Sequence, residues 1–229
     1  MSKKDINQDN NLEVVESALT KTEQFIEDNQ KSLTYIVGIV ILVVAAFLGI
    51  QKFYIAPLEE EARSSMFVAE QYFQKDSFNL AVNGDGNNWG FIDIISEYKM
   101  TKSANLAKYY TGISYLHLGE YEEAIDYLKS FKSDDIMISS VTIGAIGDAY
   151  AELEETEKAI SFYEKAAANK ANDFTTPIYL SKAAQLHHEL GNYDEVISIY
   201  EDIKANYAKS QEGRNADKFI SRAKIELVK

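Results

Sequence analysis

Residues 112–131, GISYLHLGEYEEAIDYLKSF, carry the reading that decides the fold. Apolar side chains recur at helical spacing, yet Gly119 sits in the middle, where a helix former is expected. Two later stretches explain it. GISYLHLGEYEEAIDYL (112–128) aligns with GDAYAELEETEKAISFY (147–163) at an offset of 35 residues. Gly112 meets Gly147, Tyr115 meets Tyr150, and Ala124 meets Ala159. AQLHHELGNYDEVISIY (184–200) follows 37 residues on, with Ala184 at the first glycine's place, Gly191 at the turn and Val196 at the alanine's place. A unit of this length is a pair of antiparallel helices. Gly119 and Gly191 then read as stops of the first helix, where a left-handed backbone costs glycine little. The small residues mark close helix approach. Tyr115, Leu128, Tyr150, Tyr163 and Tyr200 read as filling between units rather than as a ligand box.

The pattern resembles the tetratricopeptide repeat. It predicts an all-α chain: one apolar helix of membrane-spanning length, then a tetratricopeptide-repeat α-solenoid. Helix pairs are expected near 104–118/121–131, 140–153/156–168 and 177–190/193–207. Asn172 or Thr176 can cap the last pair, with Pro177 in its first turn. EGRNADKFISRAKIEL (212–227) reads as a helix covering the last repeat's apolar face. The expected division is a tail (1–32), an anchor (33–55), a divergent first unit (56–103), three repeats (104–211) and a capping helix (212–229). In the divergent unit, 58–78 and 89–98 read as helices with NLAVNGDGNNWG (79–90) as a glycine-rich loop between them. Asp85, Asn87 and Gly90 match three positions of a calcium loop, but Trp89 and Ser96 stand where ligands belong, so a plain loop is the better reading.

LTYIVGIVILVVAAFLGI (33–50) has eighteen residues and no charge. As a helix it spans roughly 27 Å, close to a bilayer's hydrocarbon thickness. A cleaved signal peptide fits poorly, since 32 residues precede the run. Lys21 and Lys31 on one side balance Lys52 and Arg63 on the other, so charge leaves the orientation open. Gly38, Ala45 and Gly49 form a small-residue stripe suited to packing against another membrane helix. Before the run, Leu12, Val15, Leu19, Phe25 and Ile26 recur at near-helical spacing behind a capping box of Asn10 and Glu13. Docking on a protein fits its acidic polar face better than adsorption to anionic lipid.

The chain has no cysteine, which removes disulfides, thiolate metal sites and a thiol nucleophile. Residues 56–229 carry 18 basic and 29 acidic side chains, a net −11, which disfavours nucleic acid and anionic lipid as partners of this part. His117, His187 and His188 are the three histidines, and the adjacent pair point apart on a helix. No catalytic motif, phosphate loop or cofactor fingerprint is present, so no enzyme, metal or cofactor is expected. Helical repeats bind protein segments along their first helices. Here that face would present Tyr109, Ile113, Asp148, Glu152, Ser181, Gln185 and His188, a set suited to a basic or apolar segment.

The layout as a whole, with NGDGNNWGFIDIISEY, NLAKYYTGISYLHLGEYEEAIDYLKSF and YAKSQEGRNADKFISRAKIEL, resembles the YfgM-like family in its Bacteroidota form. These are ancillary subunits of the bacterial Sec translocon. The resemblance implies an inner-membrane protein with a cytoplasmic amino terminus and a periplasmic repeat domain. It further implies Sec translocon subunits, and periplasmic chaperones or client polypeptides, as partners. An envelope scaffold unrelated to secretion and an inverted topology remain open alternatives. The repeat register itself is testable: Ala124→Leu overpacks the helix contact and should cost about 1–3 kcal/mol, read as a lowered unfolding midpoint.

Overall fold

The computed structural model describes residues 25–229, in two compact units that meet at Pro57/Leu58. The expected tail helix lies mostly outside the described residues; Phe25 and Ile26 fall in a helical stretch at 25–28 and are exposed. The first unit contains α1 (Gln30–Ile50), which continues into a five-residue π-helical segment, Gln51–Ile55. None of their side chains is buried. Among the described residues, the helix that begins at Gln30 is the one long and apolar enough to cross a membrane.

The second unit is helical, with no strand among the described residues: α2 (Ala56–Gln74), α3 (Phe78–Asn83), α4 (Phe91–Glu97), α5 (Lys102–Leu118), α6 (Tyr121–Ser130), α7 (Ile136–Glu152), α8 (Thr156–Ala168), α9 (Thr175–Glu189), α10 (Tyr193–Asn206) and α11 (Gln211–Glu226). The helix pairs α5/α6, α7/α8 and α9/α10 follow the expected register. α7 starts four residues earlier than 140 because Asp135 caps it, accepting from the Met137 and Ile138 amides at 2.9 Å. Asn172 holds the start of α9 through the Phe174 and Thr175 amides, also at 2.9 Å. α11 is capped by Ser210 and buries Ala216, Ile220 and Ala223 against Val196, Tyr200 and Ile203.

One turn ends every first helix. Gly119 has φ +81°, and the Glu120 amide reaches back to the Tyr115 carbonyl at 3.0 Å. Gly191 at φ +75° does the same through Asn192 and His187. The other two copies use no glycine. Glu154 at φ +58° carries the Glu155–Tyr150 bond, and Asp76 at φ +56° carries the Ser77–Tyr72 bond, each 2.9 Å. Counted from this turn, the close-approach residue of the first helix is Ala69, Gly112, Gly147 or Ala184, and that of the second is Ala81, Ala124, Ala159 or Val196. All of the alanines are fully buried. A Cβ on Gly112 would lie 2.5 Å from Leu128 Cγ, and one on Gly147 would lie 2.7 Å from the Tyr163 ring.

This register corrects the reading of the divergent unit. Residues 79–83, expected as loop, belong with Phe78 to α3, a shortened second helix with Ala81 at the packing position. Gly84 ends it at φ +77°, and a Cβ there would meet the Asn88 carbonyl oxygen at 2.3 Å. The Asp85 carboxylate then closes the loop, accepting from the Asn87 and Asn88 amides, the Asn88 side chain and the Tyr72 hydroxyl. These bonds, the Asn88 side chain's first, hold its pKa well below the usual carboxylate range. They commit the group to protein donors rather than to a cation. Phe91 and Ile94 of α4 supply the apolar filling that the truncated helix lacks, packed with Ala62, Met66, Ala104 and Ala107. Glu59 ties this unit together, taking the Lys102 amide at 2.6 Å and the Ser103 hydroxyl at 2.7 Å at the positive end of α5.

A β-carbon in the left-handed region costs about 1–2 kcal/mol relative to glycine. Glu154→Gly should therefore raise the urea midpoint and Gly119→Ala lower it, each by about 1 kcal/mol of unfolding free energy. Opposite signs at two equivalent turns are the diagnostic outcome.

Candidate protein-binding groove

Two adjoining clefts run along the first helices. One, of about 410 Å³, is lined by Leu116, Tyr121, Asp148, Glu152, Lys182 and Gln185 among others. Its neighbour, of about 370 Å³, is lined by Ser181, Gln185, His188, Val196, Phe219 and Arg222 among others. Gln185 belongs to both and is exposed. Five of the seven residues expected on this face therefore line one continuous groove. Tyr109 and Ile113 do not. Both are partly buried against the repeat core, with the Tyr109 ring 5.5 Å from that of Phe131.

The electrostatics differ from the expectation of an acidic face. Asp148 accepts from the Tyr163 hydroxyl at 2.7 Å and pairs with Lys182 Nζ at 2.5 Å. Its charge is compensated inside the groove. Glu152 accepts a weaker bond from the Tyr121 hydroxyl, at 3.2 Å, and among the described residues no lysine or arginine lies within salt-bridge distance of it. Arg222 brings a cation to the second cleft, from a helix that repeat alignment had treated only as a cap. In that cleft the Ser181 and Tyr200 hydroxyls bond to each other at 2.9 Å, and Phe219 stacks on Tyr200. His188 stands edge-on to Tyr193, and its Nε2 is a buried nitrogen without a hydrogen-bond partner. Lys182, Arg222 and Tyr121 escaped sequence reasoning because each comes from a position that has no fixed role in the repeat.

A buried tyrosine packs behind Tyr163, which lines the first cleft. The Tyr179 ring on α9 lies over Gly144 on α7, so closely that a Cβ there would sit 2.0 Å from ring carbon. It stacks on Tyr163 at 6.3 Å between centroids. Burial pushes both phenols well above their ordinary range, and for Tyr163 the bond to Asp148 adds to it.

Gly38, Ala45 and Gly49 belong to the other unit. A Cβ on either glycine would meet nothing within 4 Å, and Ala45 is exposed, so this stripe is open.

Models of the tetratricopeptide repeat match residues 106–135 and 142–173. Two of the chain's helix pairs are thus similar to that repeat. Two crystal structures of TPR-like repeats from a Podosopora anserina protein described as a kinesin light chain share the fold. They superpose with TM-scores of 0.55 and 0.56 over 74% of this chain and 87% and 88% of theirs, at 14% and 15% identity. No curated protein matches the sequence. The repeats indicate an adaptor for protein–protein interaction, a role in which this fold is typically non-catalytic.

The raised phenols carry a pH signature. A group whose native pKa lies above its unfolded value adds stability that is complete below the unfolded value, about 10 for tyrosine, and is lost as pH rises beyond it. Stability should hold up to about pH 10 and fall above it. Phenolate absorbance of Tyr163 and Tyr179 should emerge together with the loss of helical circular dichroism. Tyr163→Phe and Tyr179→Phe should remove their share of the late absorbance.

Proposed function

We propose that the chain is a membrane-anchored adaptor whose repeat groove holds an extended protein segment. The groove is the observation that carries this: two clefts share Gln185, whose exposed amide can both donate to and accept from a peptide backbone. α1 supports the anchor by its length and apolarity. The resemblance to the YfgM-like family supports the narrower reading. On it, the protein is an inner-membrane accessory subunit of the Sec translocon, with the repeats in the periplasm, where they receive chaperones or emerging secreted chains. The Gly38/Ala45/Gly49 stripe is then the contact with the translocon's membrane helices.

A photo-reactive residue at Gln185 and another at Gly49, irradiated in native membranes, tests this. The Sec reading expects translocon subunits from Gly49 and a chaperone or nascent chain from Gln185. Envelope-assembly proteins at both positions would favour the scaffold alternative instead.

The two surfaces should also separate genetically. Asp148 is neutralised by Lys182, which leaves Glu152 in the first cleft and Glu189 in the second as carboxylates without a salt bridge among the described residues. Glu152→Lys should slow capture of a cationic segment, since charge at a binding rim acts chiefly on association rate. It should leave co-purification with the membrane complex intact. Ala45→Leu with Gly49→Leu should do the converse. Equal loss of one partner in both variants would refute a two-surface adaptor.

A further inference from the structure

The repeat unit has two unlike edges. The turns that end the first helices form one, and exposed Glu120, Glu122, Glu123, Glu154, Asp194 and Glu195 make it acidic. The connections leading into the first helices form the other. Hydrogen bonds and a shared cleft trace that edge from end to end. Glu59 joins Lys102 and Ser103; Asn105 joins Lys132; Lys170 joins Asp134; and Phe174 shares a cleft of about 620 Å³ with Tyr207 and Ala208. The chain enters the unit on this edge, at Leu58, next to Glu59.

This entry edge carries a large exposed apolar side chain before or at the start of each repeat's first helix. Met100 precedes α5 and is 67% exposed; Ile136 and Met137 open α7; Phe174, 72% exposed, and Ile178 open α9. Exposed Lys99, Lys102, Lys132, Lys170, Lys209 and Arg214 stand between them. Asp134, Asp135, Asp173 and Glu212 share the edge, and Glu60 and Glu61 follow on α2, so its overall charge is close to balanced. Asp135 is occupied in capping α7. Apolar tips flanked by lysines are the composition of a surface that rests in the interfacial zone of a bilayer, tips among the acyl chains and ammonium groups at the phosphates. Covalent reach allows it. Leu58 follows the apolar run by eight residues, a span of at most about 28 Å even when fully extended.

We propose that this entry edge lies on a phospholipid surface, through Met100, Ile136, Met137, Phe174 and Ile178. This rests on the anchor reading above. The acidic edge would then point away from the lipid, and the groove would open along the membrane rather than against it.

The chain's lack of cysteine makes the test direct. Single replacements Met137→Cys, Phe174→Cys, Asp194→Cys and Val43→Cys are labelled with an environment-sensitive fluorophore in the full-length protein. Each is reconstituted into phosphatidylethanolamine/phosphatidylglycerol vesicles. The expected result is loss of iodide quenching at 137 and 174, with quenching by headgroup spin-labelled lipid, while 194 stays open to iodide. Adding Met100→Glu and Ile178→Glu should return the 174 label to water, and both positions are exposed enough to spare the fold. Iodide access at 137 and 174 equal to that at 194, with Val43 protected, would overturn the proposal and leave the anchor standing. An unprotected Val43 would overturn the anchor itself. Protection at 174 that needs added cell extract would assign the edge to a protein and overturn the lipid reading.

Discussion

Close approach of paired helices is the constraint on which the repeat unit depends. At Ala69, Gly112, Gly147 and Ala184 the second helix comes near enough that a larger side chain would displace buried Leu128 or Tyr163 or their counterparts. Small residues there give up their own apolar area. In exchange, large neighbours such as Leu128, Tyr163 and Tyr200 become almost fully buried. The left-handed turn follows from the same constraint. A helix must reverse within two or three residues for its partner to return along it at that distance, and the backbone bond from Glu120 to Tyr115, with its three counterparts, does so.

The groove inherits its shape from this packing and its charge from elsewhere. Asp148, Glu152, Ser181, Lys182, Gln185 and His188 come from first helices, Tyr121, Tyr163 and Tyr200 from second helices, and Phe219 and Arg222 from α11. Asp148 looks like a recognition carboxylate in a list of residues. In place it is the acceptor of a small network with Tyr163 and Lys182, two side chains from two repeats. The network joins neighbouring repeats at the surface as the aromatic contacts do beneath it. What remains for a partner is chiefly the Glu152 and Glu189 carboxylates, the Gln185 amide and the Arg222 guanidinium, a set of both signs.

Periodicity carried the fold because the repeat signals are local. Gly119, Gly191, Ala124 and Ala159 each state their role by position, and the helix pairs appear within a few residues of where spacing puts them. The first repeat was harder to see. Asp76 and Glu154 take the turn that glycine takes elsewhere, and neither residue type announces a left-handed backbone. α3 is one and a half turns long and ends in NGDG, so the composition of its loop masked its helix. Gly144 carries no signal of its own, because its reason is Tyr179, 35 residues later and on another helix. The groove was legible by helix face for Asp148, Glu152, Ser181, Gln185 and His188. It was not legible for Lys182, Arg222 or the Glu59 cap, which depend on where distant helices come to rest.

The seat of Tyr179 over Gly144 has a mechanical consequence. A ring held in a notch with no β-carbon works as a detent: neighbouring repeats cannot slide or rotate past one another without lifting it out. Helical-repeat arrays otherwise flex like springs, through many small adjustments between units. Here the seam beneath the first cleft is fixed by shape, and Tyr163 of that cleft stacks on the locked ring. A captured segment thus meets a preorganised wall, and the ordering entropy of binding falls mainly on the segment itself.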